Sequence, residues 1–209
     1  MEYEVRFYYP KEMLATLIEL LQSKKQLREG LRTYEKTMQF NHCDPRYDFY
    51  TKEIDGRFRF RVSSNEEQKK CKLSWKRRLQ DTLASEVNKE LEKEIIIDYE
   101  DVDNFLYIVR EVMHFELIES YERYRTIFTN EEVEISVDEY PFGIALEIEN
   151  KSKENDPEKV VTDWVKKIDL DMNKSYRLSW DDKYLELCKE QNMPVYNEVT
   201  FDKEMPEIK

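Results

Sequence analysis

Two Glu-x-Glu pairs carry the first chemical signal: Glu2/Glu4 is interleaved with Tyr3, Val5 and Phe7, and Glu147/Glu149 with Ile144, Leu146 and Ile148. Cations follow the same rule, since Arg57, Arg59 and Arg61 alternate with Phe58, Phe60 and Val62, and Lys72 and Lys76 with Leu73 and Trp75, while Arg123 and Arg125 share a parity. Successive strand side chains point to opposite faces, so each segment presents one apolar and one charged side. Carboxylate oxygens suit hard cations such as Mg2+ or Mn2+, whereas ammonium and guanidinium groups hold phosphate oxygens, Arg in bidentate fashion. A face combining both suits a metal-bound polyphosphate. The pairs alone mean little: 31 Glu in 209 residues give five Glu-x-Glu pairs, about the chance number, and a solvated face is the default reading of any one of them. What outweighs that default is strong cationic segregation in a chain of net charge −12.

The elements that must position these residues are mostly strands. Alternation predicts strands over 2–8, 31–39, 47–52, the two segments around 58–62 and 72–76, one carrying Glu90, Glu92 and Glu94 and ending at Ile97, then 115–128 as two strands or one bent ribbon, 133–140 and 144–149. Asp55-Gly56 reads as a hairpin turn and 141–143 as another. Helical spacing predicts a helix from Pro10 through Leu14, Leu17, Ile18 and Leu21 to before Gly30, a second over 98–112, a third opened by Pro157 with Val160, Val161, Trp164, Val165 and Ile168 inward, and a short fourth over 183–191 before a tail. Residues 150–156 read as a polar linker. The fold class is α+β: a closed antiparallel β-barrel, with apolar side chains outward beneath helices and a charged lumen. A single domain over 1–209 is expected, with helices of 150–209 packed outside the barrel. Charges taken from water are costly unless paired or ligand-bound, so such a lumen must interlock its charges or hold a highly charged ligand.

Composition excludes several alternatives. With 34 Lys plus Arg against 46 Asp plus Glu, the outer surface does not suit coating long nucleic acid. Three glycines, Gly30, Gly56 and Gly143, cannot build a Gly-rich phosphate loop. His42 and His114 lie near no plausible nucleophile. Cys43, Cys71 and Cys188 lack zinc spacing and read as reduced thiols. No membrane span or signal peptide is visible, which predicts an intracellular, cytoplasmic protein with no membrane partner.

The order of these motifs resembles the CYTH, or triphosphate tunnel metalloenzyme, superfamily across most of the chain. Glu2-Tyr3-Glu4-Val5-Arg6 is similar to its Glu-x-Glu-x-Lys signature, with Arg for Lys, and Phe58-Arg59-Phe60-Arg61 to its two-arginine strand. Leu73-Ser74-Trp75-Lys76 resembles the strand with a phosphate-binding lysine, Glu90-Leu91-Glu92 the central acidic strand, and Arg123-Tyr124-Arg125 the Lys/Arg-x-Arg element. The run from Gly143 to Glu149 resembles the closing Glu-x-Glu, and Lys174-Ser175-Tyr176 a late Ser-Tyr element. More than fifty residues separate Glu4 from Arg59, a departure that leaves the strands between them unmapped.

The resemblance implies an eight-stranded tunnel that hydrolyses or rearranges a triphosphate with Mg or Mn. It implies Glu2, Glu4, Glu147 and Glu149 as metal ligands. Phosphates would be held by Arg59, Arg61, Lys76, Arg123 and Arg125, joined by Arg6 and Lys72. Glu92 with Glu90 would orient the attacking water, making these two, with Arg59, Lys76 and Arg125, the catalytic set; ion pairing with lumen cations is the competing reading of Glu90, Glu92 and Asp138. Within the superfamily the expected member is the metal-dependent RNA 5′-triphosphatase of fungal and large-DNA-virus mRNA-capping enzymes, fused to or associated with a guanylyltransferase. Residue usage rich in Lys, Glu, Ile and Tyr fits an AT-rich viral genome. The alternatives are a triphosphatase of thiamine triphosphate, tripolyphosphate or nucleotides, an adenylate cyclase, or a non-catalytic polyphosphate-binding module.

Overall fold

The computed structural model describes residues 1–79, 87–153 and 155–209. Period-two patterning becomes ten strands: β1 (Glu2–Tyr9), β2 (Arg28–Glu29), β3 (Thr33–His42), β4 (Gly56–Ser64), β5 (Lys69–Arg78), β6 (Asn88–Ile97), β7 (Phe115–Thr129), β8 (Val133–Tyr140), β9 (Gly143–Asn150) and β10 (Glu198–Val199). Eight of them form an antiparallel ring in the order β7-β3-β4-β5-β6-β1-β9-β8, which β8 closes by pairing back onto β7. The short β2 and β10 also pair with β7.

Most of the outward apolar surface of the ring is covered by helices, whereas the end of β6 leaves Ile95 exposed. Helix α1 (Leu14–Gln22) and helix α3 (Pro157–Lys167) bury Leu17, Leu21, Val161, Trp164 and Val165 with Val5, Phe7, Ile135, Leu146 and Ile148. Removing such side chains from water contributes about 1.5–3 kcal/mol apiece. The start of α3 is set locally: Pro157 occupies the first turn, and the Asp156 carboxylate accepts from the Glu158 and Lys159 amides. Helix α2 (Val102–Tyr107) runs on into a π-helical turn, Ile108–Val112, and lays Val102, Phe105, Leu106 and Val109 on Phe40, Phe60 and Cys71. Helix α4 (Trp180–Gln191) packs Trp180, Tyr184, Leu187 and Cys188 against Tyr121, Tyr140 and Phe142.

Several local expectations are corrected. Residues 47–52 form no strand. Asp44 accepts from the Arg46 amide and Pro45 opens a 3-10 turn, Pro45–Tyr47, after which the Asp48 carboxylate accepts from the Tyr50 amide; these side-chain bonds compete with a ladder. Asp55-Gly56 is therefore not a two-residue hairpin. Asp55 takes a left-handed φ of 49° and Gly56 starts β4, where a Cβ would lie 2.3 Å from Trp75 Cη2. The glycine answers that close approach. The first helix ends at Gln22, well before Gly30. Of the two readings of 115–128, the bent ribbon is the one found: Phe115–Thr129 is one strand, with a register shift opposite Gln39/Phe40 that supplies its bend. Beyond α4 the chain is docked: Met205 is buried and the Ile208 amide donates to the Phe142 carbonyl at 2.9 Å.

Candidate active site

Inside the ring, ten cationic and eight carboxylate side chains among the described residues line a cavity, and the buried carboxylates of Glu35 and Asp138 pair with its arginines, so the charges nearly balance within a chain of net charge −12. The charges are sorted by strand. β1, β6 and β9 bring Glu2, Glu4, Glu90, Glu92, Glu94, Glu147 and Glu149, whereas β4 and β5 bring Arg57, Arg59, Arg61, Lys72, Lys76 and Arg78. This sorting follows from register. Glu2 lies opposite Glu90, Lys76 opposite Glu92 and Arg61 opposite Lys72, so parity on each strand becomes position on one wall.

Oxygens of Glu2, Glu4 and Glu90 lie within 4.8 Å of one another. The Lys76 ammonium sits among them, 2.9 Å from Glu2, 3.1 Å from Glu4 and 2.7 Å from Glu90. Burial opposes the charge on Lys76, but the surrounding carboxylates overcome it and hold its pKa above the ordinary lysine range. The donor set fits Mg or Mn: three hard carboxylates converge, and they already hold a cationic group between them. Glu2 and Glu92 share a hydrogen bond beside Lys76. Burial and the neighbouring Glu2 push Glu92 up to about 8, while the bond to Glu92 and the Lys76 charge outweigh burial and bring Glu2 down to about 2. At neutral pH this pair retains one proton.

From that cluster an ion-pair chain runs around the lumen. Arg6 donates to Glu4 at 3.1 Å and to Glu147 at 2.5 Å, and Glu147 also accepts from Arg125 at 3.0 Å. Arg125 grips Asp138 through Nε and Nη2, both at 2.5 Å. Arg123 donates to Asp138 at 2.9 Å and to Glu35 at 2.7 Å. Burial works against charge on Glu147 and Glu35, but the arginines win, and both carboxyls titrate below the usual carboxylate range. By contrast Arg59 is buried, donates to Gln39 Oε1 at 3.0 Å and makes no ion pair among the described residues. Arg57 reaches Ser179 Oγ at 3.3 Å and Asp55 at 3.0 Å.

All the residues expected from the sequence line this lumen: Glu2, Glu4, Arg6, Arg59, Arg61, Lys72, Lys76, Glu90, Glu92, Arg123, Arg125, Glu147 and Glu149. Their grouping differs from the expected one. Glu90 joins Glu2 and Glu4, whereas Glu147 is taken by Arg6 and Arg125, and Glu149 by Lys151 at 2.7 Å. Glu149 still faces Glu4 in register, and burial with the nearby Glu2 raises it to about 7. Arg57, already aligned by parity with Arg59 and Arg61 but assigned no phosphate role, also lines the lumen, as does Arg78, which shares the parity of Lys72 and Lys76 and was missed. Ser179 and Trp180 at the start of α4 also line the lumen, with the Trp180 ring parallel to Tyr140 at 6.3 Å. No local pattern announces them.

No protein-family model matches the chain, and no curated protein does. Solved structures do. A protein from Pyrococcus horikoshii (PH1819) superposes with a TM-score of 0.68 at 23% identity, covering 91% of this chain and 99% of its own. A candidate adenylyl cyclase from Hippeastrum, described as having a dominant triphosphatase activity, gives 0.59 at 18% identity over 94% and 99% of the two chains. A candidate adenylate cyclase from Vibrio parahaemolyticus gives 0.59 at 14% identity over 86% and 96%. At these identities the likeness is one of fold: a closed eight-stranded antiparallel barrel with flanking helices.

Proposed function

We propose that the chain is a metal-dependent triphosphatase acting on a small triphosphate, such as tripolyphosphate, thiamine triphosphate or a nucleotide. The observation that carries this reading is the opposition of walls: three converging carboxylates on one side and, on the other, a row of arginines of which Arg59 makes no ion pair among the described residues. Glu2, Glu4 and Glu90 would hold Mg or Mn, which supplies charge neutralisation on phosphate oxygens. Arg59 and Arg61 bind the β- and γ-phosphates, and Arg123 and Arg125, fixed by Asp138, keep the chain straight between the walls. Lys76 moves its charge from the carboxylates to the transferred phosphoryl group. Glu92 would orient the attacking water beside the metal-holding carboxylates. Such a site works by positioning and charge, as phosphoryl transfer requires.

The expected role at RNA 5′ ends has less support than this alternative, because the Hippeastrum structure couples the same fold to triphosphatase activity in a candidate cyclase. The discriminating experiment is a substrate panel of tripolyphosphate, thiamine triphosphate, ATP and a 5′-triphosphate oligonucleotide with Mg2+ or Mn2+, scoring phosphate against pyrophosphate. Phosphate release, with kcat/KM for a small triphosphate at least about tenfold above the oligonucleotide, is the expected result. The reverse order restores the RNA-end reading. Pyrophosphate with a cyclic nucleotide indicates a cyclase, and binding without turnover a polyphosphate-binding module.

A further inference from the structure

Tyr121 stands among three of the arginines assigned to phosphate, Arg59, Arg61 and Arg123. It lines the lumen, although the residue as a whole is only 1% exposed. Parity on β7 turns Tyr121 inward with Arg123 and Arg125. Register sets it opposite Thr37 on β3, which in turn lies opposite Arg61 on β4. Arg61, Thr37 and Tyr121 thus form one rung across three strands. The phenol ring is held by its other neighbours: the centroids of Trp180 and Tyr140 lie 4.3 and 5.8 Å from its own, and the Arg123 guanidinium 5.9 Å from it.

The order of hydrogen bonds along that rung decides where the phenol proton goes. Arg61 Nε can only donate, and it donates to Thr37 Oγ1 at 3.0 Å. Thr37 is fully buried and carries one hydroxyl proton, which it directs to the Tyr121 oxygen. Burial opposes a phenolate there, but Arg59, Arg61 and Arg123, with the bond from Thr37, outweigh it and bring Tyr121 down to about 8. The Tyr121 proton is then left over. The arginines around it are donors themselves, and among the described residues no other group accepts from it. We infer that Tyr121 donates this proton to an oxygen of the phosphate chain, between Arg59 and Arg61 on one wall and Arg123 on the next. This role rests on the triphosphate reading of the lumen. It adds to the arginines a single O–H on a rigid, packed ring, which fixes one phosphate oxygen in direction as well as in charge.

Tyr121→Phe tests this, because it keeps the ring and its packing against Trp180 and Tyr140 and removes only the hydroxyl. Circular dichroism and a Tm within about 4 °C of the parent confirm the fold. Tripolyphosphate binding without metal, measured by titration calorimetry, should weaken at least about tenfold. The parent supplies a second readout that needs no variant. Its ultraviolet tyrosinate band should show one tyrosine titrating near pH 8, absent in Tyr121→Phe, and saturating tripolyphosphate should move that titration up by at least about one pH unit, since the anion favours the protonated phenol. A parent that binds tripolyphosphate while Tyr121→Phe binds it within about twofold overturns the inference and leaves the triphosphate reading standing. So does a Tyr121 titration that the bound anion leaves unmoved. A parent that binds no tripolyphosphate removes both.

Discussion

Asp138 is wholly buried, yet it accepts two hydrogen bonds from Arg125 and one from Arg123, so a single carboxylate holds two guanidinium groups in place. Asp138→Asn keeps the volume and one carbonyl acceptor but removes the charge and turns an amide N–H2 toward a cation. The side chains of Arg123 and Arg125 are 3% and 14% exposed, so water cannot replace what is lost. Breaking a buried pair in this way costs about 3–5 kcal/mol. For a domain of this size that is a fall in Tm of roughly 6–20 °C. Thermal unfolding followed by circular dichroism measures it, without metal and with or without tripolyphosphate. The added anion should raise the Tm of the variant more than that of the parent, because it supplies the charge the arginines lack; saturation at about a hundred times Kd is worth about 2.7 kcal/mol. A loss under about 2 °C, or an equal ligand shift in both proteins, would mean that these arginines are solvated and that the lumen is open water rather than an interlocked interior.

Glu4→Gln and Glu90→Gln should each lower turnover at least about a hundredfold and raise the metal concentration for half activity, whereas Glu147→Gln should mainly lower Tm, as its carboxylate serves Arg6 and Arg125; metal titrations beside melting curves separate the two, and equal metal defects in all three would restore Glu147 as a ligand. Glu119, raised to about 7 by burial and then by Asp181, binds its proton more tightly folded than unfolded, so its contribution to stability is complete below about pH 4.5 and is lost as pH rises through 7. Glu119→Gln should therefore flatten that decline and be more stable at pH 8 by up to about 3 kcal/mol, and identical Tm–pH curves would contradict it. Gly56→Ala drives a methyl onto the Trp75 ring and should cost about 1–3 kcal/mol, read from urea unfolding; an unchanged midpoint would show that the ring simply moves aside.

What the sequence made legible was everything that depends on parity. Tyr3, Val5 and Phe7 against Glu2, Glu4 and Arg6, or Phe58 and Phe60 against Arg59 and Arg61, assign each side chain to lumen or exterior within one strand, and the ring confirms the assignment. What parity leaves open is depth along the barrel and the neighbour across a seam. Glu90 and Glu147 have the same parity signal, yet strand pairing sets Glu90 opposite Glu2 and sets Glu147 opposite Arg6. Pairings of residues so distant in sequence follow from the whole ring and from no local spacing. The same holds for α4, whose first residues enter the lumen although its own pattern is that of an ordinary amphipathic helix. The segment 47–52 failed for the opposite reason: Tyr47 and Phe49 alternate around Asp48, but Tyr50 breaks the pattern and short-range bonds from the Arg46 and Tyr50 amides to Asp44 and Asp48 outweigh it.

The closure of the ring also dictates how the chain can reach it. Strands β3 to β6 form one meander of sequence neighbours and β7 to β9 another, and each can zip from its own turns. They meet at β3 against β7, where Thr33 faces Arg125 and His42 faces Phe115, and through β1, which bridges β6 and β9 with Glu2 facing Glu90 and Glu4 facing Glu149. Each seam closes a loop of scores of residues before any contact rewards it, so the rate of folding is set by the docking of two preformed sheets. The arginines and carboxylates that bridge those seams, Arg123 with Glu35 and Arg6 with Glu147, can pair only after docking. They act late, as latches on the unfolding rate, and their loss should release the barrel faster without slowing its assembly.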